Sequence, residues 1–518
     1  MSKLLSRIGV VSSFTMISRV LGLGRDVLTS AIFGASVWNS AFITAFTLPN
    51  LFRRLLGEGA LTAALMPSLS DEKERGGIDA VYTLLNKALS WLLVVCIGLI
   101  ILVAGVYWSL QLFAIGEKWM LVADLAVLLF PYVLLVCVAA IISAALNLEG
   151  VFGIPALTAV WLNSSILLCL GVGGWLIGDS MFSRITWLCA GVLIGGTLQL
   201  LIPAIVLARR GWVPSLDLRL SDGMRRVMVM TAPGVVGAAV YQINIVISRS
   251  FAYTVSEEGA TLMYLANRLV ELPIGVFAIA ISTVVFPAFA MAASRNRMDE
   301  FASTYRNGVL IASMMAFPSA IGLVVLGEDI VRILFEHGQF TAKDTANLMP
   351  VLYIFSVGMP LISLISIETR ALYSIKAVKA PVRVAAIILP VNVGLSFLLM
   401  EFWGIIGLAV ATNTSILLQT ILLHRALKKR ESCIELGTLF SPIARCFVGA
   451  LVMGGVLYFG RELMEGRGFV LSLESFLSLV VLIPVGVGVY FSVLLLLGVA
   501  PAREAFAMIK GRLGKGGE

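Results

Sequence analysis

Four arginines lie inside stretches that otherwise read as membrane-spanning helices, and their side chains can bind an anion. They are Arg19, Arg25, Arg53 and Arg268. A charged side chain at the centre of a bilayer costs roughly 3 kcal/mol on insertion scales, so a chain that keeps several of one sign must hydrate or pair them. A guanidinium group stays charged at physiological pH and binds phosphate oxygens through two parallel hydrogen bonds. These residues therefore predict a wet, basic cavity for a phosphate or pyrophosphate group.

Polar side chains close to these arginines are candidates for supporting or gating roles. They are Asp26 beside Arg25, Asn50 and Glu58 around Arg53, Asn267 and Glu271 around Arg268, and Arg370 in the segment IETRALY. Simpler interpretations stay open. Arg19 could reach the membrane surface through its long side chain, and Arg25 could pair with Asp26. Arg268 and Glu271 could neutralise each other, because they are spaced i, i+3 on a helix.

The second apolar stretch, AFITAFTLPNLFRRLLGEG, carries a proline ahead of its two arginines. Pro49 cannot donate a backbone N–H, so we expect a kink there, which neighbouring helices or water can tolerate in a membrane. One of Arg53 and Arg54 is expected to be an ordinary anchor at the cytoplasmic surface, because this end of the helix lies near it.

Several classes of chemistry find no support in the sequence. The two histidines, His337 and His424, are far apart and lack neighbouring thiols, and the six cysteines form no CxxC pair, so we predict no metal centre. No GxSxG motif is present, which argues against a serine hydrolase, and a membrane enzyme acting on lipid-linked sugars would need an acid–base or metal cluster. We therefore predict a non-enzymatic protein without a cofactor.

The hydrophobic composition indicates how these residues are positioned. Of 518 residues, 59% are hydrophobic and only 13% are charged, and the mean hydropathy is +0.98. Apolar runs of about 20 residues, each long enough to cross a bilayer, recur along the chain. They predict an all-α, polytopic membrane protein of about 14 transmembrane helices, whose first helix is retained rather than cleaved as a signal peptide.

The net charge of +8 falls in the short connections between the apolar runs. Lysine and arginine are concentrated in alternate connections, which is the pattern of a bacterial inner-membrane protein. This bias, together with an even number of spans, places both termini in the cytoplasm. The same distribution argues against nucleic acid as a partner.

The chain contains an internal repeat with an offset of about 224 residues. Arg25 corresponds to Arg249 and Pro49 to Pro273 at this offset, and Pro155 corresponds to Pro381 at a similar one. The repeat predicts two pseudo-symmetric six-helix lobes. We expect an N-lobe over 1–212 (spans 1–6), a cytoplasmic interfacial linker over 213–227 and a C-lobe over 228–430 (spans 7–12). Residues 431–518 hold spans 13–14 and a basic cytoplasmic tail.

At these residues the sequence resembles the MurJ (MviN) family of lipid II flippases, within the multidrug/oligosaccharidyl-lipid/polysaccharide exporter superfamily. The resemblance rests on SRVLGLGRD, LPNLFRRLLGEGALTAALMP and YLANRLVELPIGV, which occur in this order. It implies translocation of the undecaprenyl-pyrophosphate-linked peptidoglycan precursor, lipid II, from the cytoplasmic to the outer leaflet. It also implies that Arg19, Arg25, Arg53 and Arg268 bind the substrate pyrophosphate, and that the two C-terminal helices form a groove for the lipid tail.

The sequence departs from that family at positions linked to energy coupling. Ser40 stands where many members have aspartate, Thr47 where some have lysine, and Ser248 where some have an acidic residue that a coupling cation could use. Asn392 and Thr412 remain as oxygen ligands, but uncharged oxygens alone make a weak sodium site. Coupling to a monovalent cation or to the membrane potential stays open.

We interpret the chain as a lipid II flippase that works by alternating access through a cationic central cavity. Its expected partners are lipid II and membrane lipids, and we expect a monomeric transport unit. Two alternatives stay open, namely a flippase for another polyprenyl-linked oligosaccharide and a cation-coupled drug exporter of the same superfamily. The second alternative would need acidic residues in the cavity, and these are few.

Overall fold

A computed structural model describes residues 2–57, 60–113, 116–280, 285–431, 437–464 and 471–504. Throughout these ranges the regular structure is helical and no strand occurs. The predicted all-α class is therefore confirmed. This outcome follows from the composition, because a backbone in lipid must satisfy its hydrogen bonds within each spanning segment, and an α-helix does so.

Sixteen α-helices are described. The first nine are α1 (Ser2–Phe33), α2 (Val37–Phe52), α3 (Ala60–Leu112), α4 (Glu117–Leu129), α5 (Tyr132–Leu148), α6 (Gly153–Ala156), α7 (Thr158–Leu168), α8 (Met181–Ala208) and α9 (Asp222–Val255). The others are α10 (Gly259–Ala280), α11 (Phe286–Ser294), α12 (Met298–Phe335), α13 (Ala342–Ser374), α14 (Lys379–Lys428), α15 (Phe440–Met464) and α16 (Leu471–Leu496). Short π-helical turns follow α2 (Arg53–Gly57) and α7 (Cys169–Ile177), and a 3-10 turn (Gly437–Leu439) precedes α15.

Among the described residues, nine helical stretches are long and apolar enough to cross a bilayer, or ten if one bent pair within α9 counts as a span. This number is lower than 14 partly because some stretches join helices that the sequence suggests are separate. Val37–Leu112 and Lys379–Lys428 each continue past a glycine in the left-handed region, Gly77 at φ 69° and Gly404 at φ 55°. The count of 14 spans stays a prediction.

The chain divides into two compact units. The first contains residues 1–261 with 338–340, and the second contains residues 262–337 with 341–518. Helix α9 belongs to the first unit because it packs against α2 and α3. Packing thus groups α9 with the helices before it, whereas the repeat assigns it to the C-lobe at 228–430. The division into two six-helix lobes stays a prediction.

The linker before α9 is held against α3. Residues 212–221 contain no helix, and α9 begins at Asp222 with the Ser221 hydroxyl accepting a hydrogen bond from the Met224 backbone N–H. Asn86 Nδ2 of α3 donates to the Val213 carbonyl oxygen at 2.9 Å. The predicted interfacial linker over 213–227 is therefore an extended segment up to residue 221, followed by the first turns of α9.

Helices α15 and α16 dock on α12 through an apolar core. Leu310 and Met314 of α12 pack in one cluster with Met453 and Leu457 of α15 and with Leu494 of α16. In water, the burial of apolar surface, at about 25 cal/mol per Å², would supply most of the docking energy. In lipid this hydrophobic driving force is absent, so close packing of the side chains must hold the helices together. The predicted groove for a lipid tail on these two helices stays a prediction.

A cluster of ion pairs fixes the same helices at one end of α12. Arg461 of α15 contacts Glu328 at 2.9 Å and Asp329 at 3.1 Å, and the Ser475 hydroxyl of α16 donates to Asp329 at 2.9 Å. The Asp329 side chain is only 5% exposed. Because a buried carboxylate without a cation is costly, Arg461 is the residue that makes this end of the core stable.

We expect Arg461→Met to destabilise the protein by about 3 kcal/mol, because it leaves the buried Asp329 carboxylate without its guanidinium. The midpoint of thermal unfolding, followed in detergent by size-exclusion chromatography, should fall by roughly 5 °C or more. The neighbouring Glu462→Gln is the matched control, since Glu462 is exposed. Adding Asp329→Asn to Arg461→Met should recover most of the loss; an unchanged midpoint in Arg461→Met would contradict the assignment.

Candidate functional site

Helix α1 carries Arg19 near the middle of its predicted span. Arg19 lies 11 residues after the start of that span at residue 8, which is roughly 17 Å along a helix and close to the centre of a ~30 Å hydrocarbon layer. Its side chain is exposed and forms no hydrogen bond or ion pair with the described residues. At the depth that the predicted span gives it, a guanidinium needs water or an anion, because no protein group of the described chain neutralises it.

Arg25 is held in place by two side chains. Its Nη2 contacts Asp26 Oδ1 at 2.7 Å, and its Nη1 donates to Asn163 Oδ1 of α7 at 3.2 Å. Asn163 in turn donates to the Ser18 carbonyl oxygen at 3.2 Å, so the same amide ties α7 to α1. Asp26 is 4% exposed and the Arg25 side chain 19%. The pairing of Arg25 with Asp26, which the sequence left open, is therefore present, and it orients the guanidinium while leaving part of it accessible.

Arg53 follows the proline of α2. Its Nε donates to Asn50 Oδ1 at 3.2 Å, and Asn50 Nδ2 donates to the Phe46 carbonyl oxygen at 3.1 Å. The helix changes from α to π geometry at Arg53, one turn after Pro49. Asn50 thus links the arginine to the backbone of the proline-bearing turn, and its supporting role stays a prediction.

The two arginines of this turn differ in exposure. Arg54 is exposed, whereas Arg53 is partly buried, and their roles as anchor and ligand stay predictions. Glu58, predicted as a gating partner, lies outside the described residues. Its role stays a prediction.

Arg249 of α9 adds a guanidinium beside α2. Its Nη1 donates to the Thr47 hydroxyl at 2.5 Å, and Thr47 donates to the Ile43 carbonyl oxygen at 2.6 Å. Both residues belong to the first compact unit. Thr47 was noted in the sequence only as a departure from lysine, and Arg249 only as the repeat counterpart of Arg25. The fold thus places the positive charge of Arg249 beside Thr47, the uncharged residue that stands where some family members have lysine.

Ser40, the other departure in α2, is satisfied by a hydroxyl. Ser40 Oγ and Thr261 Oγ1 are 2.9 Å apart, and both side chains are fully buried. A carboxylate in this place would have to be buried without a cation. The neutral serine therefore fits its surroundings in this chain.

Arg268 lies in the second unit, on α10, with the polar residues predicted around it. Arg268 Nη1 is 4.0 Å from Glu271 Oε2, and Asn267 Nδ2 donates to Glu271 Oε1 at 2.9 Å. Glu271 is 55% exposed, so this ion pair is long and solvated. Exposed pairs of this kind contribute about 0–1 kcal/mol.

The remaining predicted residues lie elsewhere in the second unit. Arg370 of α13 has a buried guanidinium nitrogen, Nη1, without a hydrogen-bond partner. Asn392 Oδ1 accepts from Ser396 Oγ at 2.9 Å, and the Thr412 hydroxyl donates to the Leu408 carbonyl oxygen at 2.9 Å. Each of the two cation-site candidates is thus engaged within its own helix, α14, and the cation site stays a prediction. No group of three or more His, Cys, Asp or Glu suited to a metal ion occurs in the described ranges.

The first unit therefore offers a basic set of donors for a polyanion. Arg19, Arg25, Arg53 and Arg249 all belong to it, and Asp26 is the acid that pairs with Arg25. Such donors can bind phosphate oxygens.

The sequence did not show the contacts of two residues at this site. Asn163 lies in the apolar run WLNSSILL, and Arg249 was recognised only through the repeat. A polar amide within a span is a signal for a helix–helix hydrogen bond, but nothing in the sequence tells which arginine it meets.

Three comparisons agree on the relatives of this chain. A family model described as "Lipid II flippase MurJ" matches residues 29–479. A "Probable lipid II flippase MurJ" of Bdellovibrio bacteriovorus is 32% identical over 512 residues, which is 96% of this chain and 95% of the relative. A protein of the same description from Vibrio cholerae is 31% identical, over 96% of this chain and 97% of the relative.

Solved structures share the fold. "Lipid II flippase MurJ, inward closed conformation" superimposes with a TM-score of 0.78 at 24% identity, covering 96% of this chain and 99% of that one. An inward-facing multidrug resistance MATE family transporter of the MOP superfamily gives a TM-score of 0.68 at 14% identity, over 82% of this chain and 98% of that one. At these identities the likeness concerns the fold alone.

The exposure of Arg19 predicts that water reaches the middle of α1. In a variant whose native cysteines are replaced by alanine, we expect Arg19→Cys to react with a charged, water-soluble thiol reagent, because such reagents modify thiols only where water enters. Ser30→Cys on the same helix is the matched control and should stay unreactive, since Ser30 is 1% exposed. If Cys at position 19 is as unreactive as Cys at position 30, the helix presents Arg19 to lipid and the wet cavity is wrong.

Proposed function

The chain belongs to the MurJ family of lipid II flippases, and from this membership we propose that it moves lipid II from the cytoplasmic to the outer leaflet of the bacterial inner membrane. It is a multi-pass membrane protein of a transporter family, and its expected substrate is a polyprenyl-pyrophosphate glycolipid. The observation that carries the proposal is Arg19, an exposed guanidinium in mid-helix without a protein counter-ion among the described residues. A pyrophosphate is the counter-ion that such a residue lacks.

The arginines have different parts in binding the pyrophosphate. Arg25 is pre-oriented by Asp26 and Asn163, so little side-chain entropy is lost when it binds. Arg53 is tethered through Asn50 to the proline turn, so a shift of that turn moves its guanidinium. Arg268 can exchange its long contact with Glu271 for a doubly charged ligand. Each charge-assisted contact is worth about 1.5–3 kcal/mol.

Release on the far side requires that these contacts weaken in another conformation, because a ligand drives a change only by binding two states differently. Alternating access in a monomeric unit is the mechanism we propose. The proposed orientation has both termini in the cytoplasm, as the distribution of lysine and arginine predicts. The lipid tail would stay in the bilayer, beside the groove proposed for α15 and α16.

A flippase for another polyprenyl-linked oligosaccharide is the alternative that shares this chemistry. Its pyrophosphate would engage the same arginines, so the sugar and peptide groups must decide between the two. The MATE-like fold does not by itself favour a drug exporter, because cationic drugs need acids in the cavity and the described arginine sites supply the opposite charge.

The proposal predicts that Arg19→Ala and Arg268→Ala abolish growth of cells depleted of their own lipid II flippase and provided with this chain. Loss of one guanidinium should weaken pyrophosphate binding by roughly 10–100-fold, which follows from 1.5–3 kcal/mol. Arg54→Ala is the matched control and should keep full activity, because Arg54 is exposed and adjacent to Arg53. Lipid II accessible on the outer face is the second readout.

The outcomes separate the two lipid substrates. Rescue by the unaltered chain, lost in Arg19→Ala at normal membrane levels, supports lipid II as the substrate. An inserted, correctly folded chain that never exposes lipid II would overturn it and favour another polyprenyl-linked glycan. Full rescue by Arg19→Ala or Arg268→Ala would contradict the role of the arginines.

A further inference from the structure

Glu368 is a fully buried carboxylate in the core of the second unit. Its neighbours on α13, Ile367 and Ala371, belong to an apolar cluster with Phe301 of α12 and Leu427 of α14. An ionised carboxylate in such surroundings costs several kcal/mol unless a cation or several donors compensate it. No arginine or lysine contacts Glu368 among the described residues.

Two titratable side chains meet this carboxylate. The Tyr305 hydroxyl of α12 donates to Glu368 Oε1 at 3.3 Å, and His424 Nδ1 of α14 lies 3.3 Å from the same oxygen. Tyr305 Oη and His424 Nδ1 are 3.5 Å apart, so each of the three groups contacts the other two. The side chains of Tyr305, Glu368 and His424 are called the set below. The second oxygen, Glu368 Oε2, is buried without a hydrogen-bond partner.

Other charges at this end of the unit are directed away from the set. The helices that pack on α13 here are α11, α12 and α14, and α11 has no titratable residue. The charged residues of α12 and α14 nearest to the set are all exposed: Asp299, Glu300, Arg306, Lys379, Arg383, Arg425 and Lys428. On α13 itself, Arg370 is two residues from Glu368 and hence about 200° around the helix.

The set has no net charge only when Glu368 and His424 share one proton beyond the N–H of a neutral imidazole. With that proton, it is either a carboxylic acid beside a neutral imidazole or a carboxylate beside an imidazolium, and the two forms differ only in where the proton lies. Removing the proton leaves a buried anion, and adding a second leaves a buried cation. An ion pair kept for stability alone would be expected to have both carboxylate oxygens bonded, and here Oε2 is not.

His424 gives the proton a way out. Its side chain is 16% exposed, whereas Glu368 is 0% exposed. Tyr305, Glu368 and His424 each lie within about two turns of a helix end that adjoins a basic connection. The positive-inside rule places these connections, and hence this exit, on the cytoplasmic side.

We propose that Glu368 and His424, assisted by Tyr305, form a proton-binding site that exchanges one proton with the cytoplasm during transport. Glu368 Oε1 passes its proton to His424 Nδ1, and His424 Nε2–H releases a proton to water, which leaves a carboxylate and a neutral imidazole protonated at Nδ1. A hard metal cation is a poorer fit, because two oxygen-bearing side chains and a nitrogen fall short of its usual six to eight oxygen ligands. That the exchange drives transport rests on the proposed function.

The chain suits a direct test because it has only two histidines. His337 is exposed and serves as an internal control for His424. In full-length protein with ¹⁵N-labelled histidine in lipid nanodiscs, we expect Glu368→Gln to shift the midpoint of the His424 titration by about one pH unit or more, a tenfold change in proton affinity. The His337 titration should not move. Identical His424 titrations in both proteins would overturn the proton site.

A second measurement tests coupling in proteoliposomes. Translocation of lipid II by the unaltered chain should depend on a pH gradient, and Glu368→Gln should lose that dependence while Glu401→Gln, an exposed carboxylate on α14, keeps it. If Glu368→Gln fails to fold, Tyr305→Phe replaces it as the test. This variant keeps the ring and should weaken the dependence on the pH gradient. If folded Glu368→Gln still depends on the pH gradient, the coupling of this site to transport is refuted. If the wild-type protein moves no lipid II, the proposed function is refuted, and the histidine titration alone decides whether the proton site exists.

Discussion

The permanent charge of the guanidinium group is the constraint on which the rest of the structure depends. An arginine cannot shed its proton to enter an apolar phase, so each one in a spanning helix must find water, an acid or a ligand. This chain shows paired and exposed arginines side by side. Arg25 has Asp26, Arg461 has Glu328 and Asp329, and Arg19 is left exposed at mid-helix. Of these three, Arg19 is the one without an acid partner among the described residues.

The other polar features of the spans follow from the same constraint. Pro49 and the π turn after it put Arg53 on a segment that is not a regular α-helix, and Asn50 links the two. The charge of Arg249 lies beside Thr47 and not on α2 itself. The number of positive charges near α2 is thus decided by packing as much as by the residues of α2.

The sequence predicted well whatever depends on neighbours along one helix. The all-α class follows from composition, and the contacts Arg25–Asp26 and Arg268–Glu271, which the sequence left open as simpler interpretations, follow from short spacings. It could not predict partners brought together by tertiary packing, such as Asn163, which is 138 residues from Arg25. In the linker, Leu216, Leu218 and Leu220 alternate with polar residues, a period-two pattern typical of extended chain that the prediction of an interfacial linker did not use.

The docking of α15 and α16 bears on the order in which the protein is built. The apolar cluster around Phe301 and Ile367 draws nearly all its buried residues from the chain before residue 428, whereas α15 and α16 bury theirs mainly against α12. During synthesis, the core of α11–α14 can therefore close while the last two helices are still in the ribosome. These helices then add to a finished surface, so an ancestor could have acquired them without redesigning what was already folded.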